Sequence, residues 1–109
     1  MENVRTFDVQ VTIVEMQKGK CSQGFKVGDS WLIKGNLTPA NMCQSAFATL
    51  YPAIRTMRYG GEIPWSKNRD VIRISCPDPM RVVVYELKRI PKPDPINGWA
   101  PPRRDSDTV

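Results

Sequence analysis

A chain of 109 residues, 40% of them apolar and 25% charged, has room for one domain whose core needs neither disulfide nor metal to hold it. The absence of histidine excludes imidazole as a ligand or general base, and no apolar run approaches the ~18–20 residues that cross a bilayer. The net charge of +5 belongs to residues 1–90, with 13 Lys/Arg against 8 Asp/Glu, while residues 91–109 hold three of each.

From Phe7 the stretch FDVQVTI alternates apolar and polar residues, the period of a half-buried strand with Phe7, Val9, Val11 and Ile13 inward. Lys18-Gly19-Lys20 ends it as a turn. In FKVGDSWLIKGN, Gly28-Asp29 marks a turn between two short extended pieces, of which WLIK is the second strand. Thr38-Pro39 then predicts the start of a helix, with Thr as cap and Pro where an N–H would be orphaned anyway. Cys43, Phe47, Leu50 and Ile54 form its apolar stripe, and Gly60-Gly61 stops it. Pro52 inside this span predicts a kink or a division into two short helices.

Val71–Ile74 and Arg81–Leu87 read as two more strands. Between them SCPDPM carries two prolines that cannot donate to a ladder, so it must leave the sheet as a hairpin connection does. The expected fold is therefore α+β: a small, mostly antiparallel sheet with one kinked helix (Thr38–Gly60) packed on a face. Residues 1–90 form the single domain of this reading. Residues 91–109 hold five of the ten prolines and form an extended tail. Trp99 in that tail is the candidate for docking on a partner or a second subunit.

The opening MENVRTFDVQ lacks the apolar stretch of a secretory signal. An odd count of three cysteines speaks against a disulfide framework. The expected compartment is the cytoplasm.

Taken together, GKC, KVGD, CQSAF, LYP, RYGGEIPW, CPDP and VVYELKRI, in this order over approximately residues 9 to 90, resemble a small prokaryotic family of about ninety residues. That family carries no settled activity, so the resemblance implies relatives rather than a reaction. It implies cysteines at the positions of Cys21, Cys43 and Cys76. Relatives often follow the first of these with Pro-x-Gly-His, where this chain has Ser-Gln-Gly-Phe. Any imidazole that relatives use is absent here.

The three cysteines are the candidate ligands for a metal, either zinc or an iron–sulfur cluster. Their gaps of 22 and 33 residues place no two on one turn, unlike the closely spaced pairs of most zinc sites. A fourth ligand would come from Asp78, Asp29, Glu62, solvent or a substrate. Against this stands plain packing, since a free cysteine behaves as a small apolar side chain and Cys43 lies on the helix stripe. A reactive thiol is a third use, for which Cys76 at a strand end is best placed.

The loop RTMRYGGEIPW gathers a second set. Arg58 is able to clamp a carboxylate or phosphate, Tyr59 and Trp65 supply an apolar wall with a polar edge, and Glu62 completes a ligand-binding set. Glu62 and Asp78 are the candidates for proton transfer. The structural alternative makes Gly60-Gly61 a helix stop, Arg58–Glu62 an ion pair and Trp65 a core plug. Between Trp31 and Gly61 there is no acidic residue, whereas Lys34, Arg55 and Arg58 are positive. That field suits a small anionic molecule better than nucleic acid, for which no stacking motif or recognition helix is present.

The first expectation is an accessory subunit or binding module, associating with itself or a larger protein. The second is a cysteine-based metal or iron–sulfur protein. The third is a small enzyme acting on an anionic organic substrate at the RYGGE loop.

Overall fold

The computed structural model describes residues 6–91; Trp99 and the tail from residue 92 onward lie outside these. Four strands and one helix follow in the order β1 (Phe7–Gln17), β2 (Ser30–Ile33), α1 (Gln44–Arg58), β3 (Val71–Ser75) and β4 (Val82–Pro91). The strands make one sheet of order β2-β1-β4-β3, with every neighbouring pair antiparallel. The α+β architecture expected from the residue pattern is the one observed.

The alternation of β1 buries Val9, Val11 and Ile13 and leaves Phe7 half-buried. Ile13 stands opposite Tyr85, yet Glu15 stands opposite Val84, so β1 carries one extra residue, Val14. This bulge keeps Met16 beside Val83 and the core side of the sheet apolar. Lys18 and Gly19 then reverse the chain with φ of 57° and 99°. Of FKVGDSWLIKGN only the second piece is a strand; residues 25–27 form no ladder.

The helix begins at Gln44, with Cys43 at its N-cap, rather than at Thr38-Pro39. Asn41 has φ of 61°, a left-handed conformation that asparagine tolerates and that no right-handed helix continues through. The helix then runs through Pro52 as one element, not two. Pro52 cannot bond the carbonyl four residues back, but it and Ala48 are both exposed, so this missing bond falls on the solvent side of the helix. At the other end the Gly60 N–H bonds the Met57 carbonyl at 3.2 Å and the Gly61 N–H bonds the Thr56 carbonyl at 2.8 Å. With Gly60 at φ 77°, this is the Schellman termination that the glycine pair predicts.

Ala46, Leu50, Ile54 and Met57 face the sheet and pack with Val9, Val11, Ile13, Tyr85 and Leu87. Complete burial of a side chain such as Leu50 stabilises the fold by about 2 kcal/mol. Arg89 closes the opposite end of the sheet. Its guanidinium is buried over Phe7, donates to Asp70 Oδ1 at 2.9 Å and donates to the Gly61 carbonyl at 2.7 Å. It thereby ties the helix exit to the start of β3.

Candidate functional site

The three cysteines come from three separate segments and line one cavity of about 350 Å³. Cys21 sits in the connection after β1, where its carbonyl accepts from the Gly24 N–H at 3.0 Å. Cys43 is at the head of the helix. Cys76 is the first residue after β3, and its inward direction continues the alternation of Ile72 and Ile74. All three thiols are free and half-buried. The polar part of the wall includes Ser22, Gln23, Ser45, Asp78, Arg81 and Tyr85.

Cys76 is the best-anchored thiol. Its sulfur accepts the Val83 N–H at 3.4 Å and donates to the Arg81 carbonyl at 3.5 Å. Tyr85 is fully buried behind the cavity, with Trp31 against its ring. Burial pushes its phenol above the ordinary tyrosine range, and Cys43, Cys21 and Cys76 add to the shift. The phenol is therefore a neutral group in a wall of sulfur. The helix head has no side-chain cap and no acidic residue in its first turn, so its free N–H groups favour negative charge at this end. A neighbouring cleft of about 590 Å³ shares Gln23, Cys43 and Ser45 with the cavity.

Of the proposed fourth ligands only Asp78 reaches the cavity, and its Oδ1 already accepts the Met80 N–H at 2.9 Å. Asp29 turns toward Lys26, whose backbone and side-chain hydrogen bonds hold its carboxyl below the usual range. Among the described residues no group of three or more His, Cys, Asp or Glu side chains is disposed to hold a metal ion. The thiols share a cavity without forming a ready-made coordination sphere.

The RYGGE set is divided by the turn at Gly60. Arg58 is on the helix and only 7% exposed, facing the β2–α1 connection. Tyr59 is exposed, with the guanidinium groups of Arg55 and Arg58 at 5.0 and 5.2 Å from its ring centre. Glu62 pairs with Arg69 at 3.1 Å in solvent, not with Arg58. Trp65, expected as a core plug, is 78% exposed and borders a different, shallow depression beside Val71 and Glu86. The chain reversal after Gly60 carries residues 62–65 away from the helix end, so the four side chains do not form one site.

Sequence reasoning missed Tyr85, Arg81 and Arg89. The first two were legible only once β3 and β4 were paired, because Ser75 opposite Val84 sets which β4 residues share the face of Cys76. No family model matches the chain, and neither a curated protein nor a solved structure is found to match it. Among the described residues no helix is long and apolar enough to cross a membrane.

Proposed function

We propose that the protein is a small binding module rather than a catalyst, and that the cavity of Cys21, Cys43 and Cys76 receives a thiophilic ligand, a soft metal ion first of all. The observation that carries this reading is that thiols 22 and 33 residues apart line a single cavity with polar companions. Cysteines kept only for packing need no common opening and no neighbouring Asp78 and Arg81. Sulfur selects soft ions over hard ones, and the uncapped helix head favours the negative charge that thiolates bring. Because the side chains are not already grouped as ligands, uptake requires rotation of the three thiols toward a common point, with Asp78 or solvent as the remaining ligand.

The test is titration of the reduced chain with Cd²⁺ without oxygen, following the ultraviolet cadmium–thiolate absorption. One ion per chain, with absorption reduced in each of Cys21→Ser, Cys43→Ser and Cys76→Ser, supports the reading. Absorption that survives every single substitution, or none at all, removes it.

A further inference from the structure

A second cavity lies on the other side of the helix, between its last turns and the connection from β2. It measures about 300 Å³ and shares no residue with the thiol cavity. Its polar lining is Arg58, Arg55, Asn36 and Thr38, and its apolar lining includes Phe47 and Tyr51. Arg58 is 7% exposed, and its buried Nε and Nη1 have no hydrogen-bond partner among the described residues. Nη1 stands 3.8 Å from where a Cβ on Gly35 would be, which directs the guanidinium at the β2–α1 connection.

A buried guanidinium with idle donors is an anomaly, since arginine cannot shed its charge to suit its surroundings and nearly all buried donors are satisfied. Basic residues in the last turn of a helix also complement its negative end. That role is fulfilled at the surface and does not call for burial. Among the described residues Arg58 makes no salt bridge, and residues 31–61 contain no Asp or Glu. Arg55 stands at the same cavity, with Nη1 donating to Asn36 Oδ1 at 3.0 Å. The phenol of Tyr59 beside them is held below its ordinary range, first by a side-chain hydrogen bond with Arg58 and less by the charges of Arg58 and Arg55.

We infer that this cavity is an anion site, in which Arg58 and Arg55 take the carboxylate or phosphate group of a small organic molecule whose apolar part rests on Phe47 and Tyr51. The cavity is at the small end of ligand pockets, which start near 300 Å³, and an unpartnered guanidinium N–H directed at the β2–α1 connection offers an oxyanion a charge-assisted hydrogen bond.

The experiment uses the full ¹⁵N-labelled chain. The Arg58 Nε–H resonance, identified by its loss in Arg58→Lys, is followed during titration with inorganic phosphate and, separately, with benzoate, chloride holding the ionic strength constant. A saturable shift is expected, and the tighter of the two probes tells phosphate from carboxylate. Arg58→Lys, with unchanged circular dichroism and with binding read from the backbone amide shifts of Asn36 and Thr38, should weaken binding about tenfold or more, because an ammonium does not reproduce the directed guanidinium donors. The exposed Arg55→Gln provides a second variant that leaves the core alone and should weaken it by a smaller factor. An Arg58 signal that neither anion moves to saturation assigns the donors to ordered water and overturns the inference. So does an affinity in both variants unchanged from that of the unsubstituted chain.

Discussion

Cys76 and Val83 are bonded twice across the mouth of the β3–β4 hairpin: the Cys76 N–H reaches the Val83 carbonyl at 2.8 Å, and the Val83 N–H reaches the Cys76 sulfur at 3.4 Å. The second bond exists because the hairpin leaves the ladder at Pro77, where the partner carbonyl is no longer in line. The sulfur takes its place. Cys76→Ala should therefore destabilise the fold by about 1 kcal/mol in urea unfolding and speed hydrogen exchange at the Val83 amide. Unchanged exchange at Val83 would show that the sulfur is not an acceptor.

Arg89 and Arg73 both pair with a carboxylate, but in different surroundings. Arg89 is 2% exposed against Asp70 and also holds the Gly61 carbonyl, whereas Arg73 is 60% exposed against Glu86 at 3.4 Å. Arg89→Ala should cost about 2 kcal/mol, mostly through lost charged hydrogen bonds and packing on Phe7. Arg73→Ala should cost less than about 0.5 kcal/mol. Equal losses in paired unfolding curves would contradict the clamp assigned to Arg89.

The two shifted tyrosines move stability in opposite directions at alkaline pH. Tyr85 keeps its proton in the fold after an unfolded tyrosine, with an ordinary value of 10.0, has begun to lose it. The native state then holds more protons than the unfolded one, so stability falls as pH rises above about 10, at most about 1.4 kcal/mol per pH unit. Tyr59, held low first by Arg58, does the reverse and adds stability as pH rises toward that value. In Tyr85→Phe the alkaline decline should flatten, and in Tyr59→Phe it should begin earlier. Tyrosinate absorbance read alongside circular dichroism checks both, with Tyr85 ionising only as the chain unfolds.

The helix stop depends on two glycines for different reasons. Gly60 needs its positive φ of 77°, and an added Cβ would meet Phe7 at an ordinary 3.5 Å. A Cβ on Gly61 would meet Thr56 Cγ2 at 2.7 Å and the Thr56 carbonyl oxygen at 3.0 Å. Gly60→Ala should cost about 1 kcal/mol. Gly61→Ala should cost about 2 kcal/mol, because backbone must move to admit it. Thermal unfolding of the two variants gives the order.

Periodicity made the strands legible: Val9, Val11 and Ile13 are inward in β1, and Ile72, Ile74 and Cys76 continue one face of β3 into the connection. Leu50 and Ile54 were equally plain on the helix. The helix start was not legible, because the left-handed turn at Asn41 overrides the cap that Thr38-Pro39 offers. Cys21 lies in an irregular connection whose course no period describes, so its arrival beside Cys43 and Cys76 could not be read from spacing. The RYGGE cluster misled for a related reason: closeness along the chain says little once a Schellman turn sends its two halves in different directions. Arg58 looked like a ligand clamp, and its partner at the cavity is Arg55, one helical turn earlier, rather than Glu62 or Trp65.

The most direct test of the thiol cavity is mass spectrometry of the reduced chain after treatment with phenylarsine oxide, a trivalent arsenical. Its As=O oxygen leaves as water as two thiols form As–S bonds, so only thiols that reach one another hold it against a competing monothiol. The shared cavity predicts one arsenical per chain with one of the three thiols still titratable, and no retained adduct when any two cysteines are serine. Three titratable thiols and no retained arsenical in the folded chain would show that Cys21, Cys43 and Cys76 do not act together.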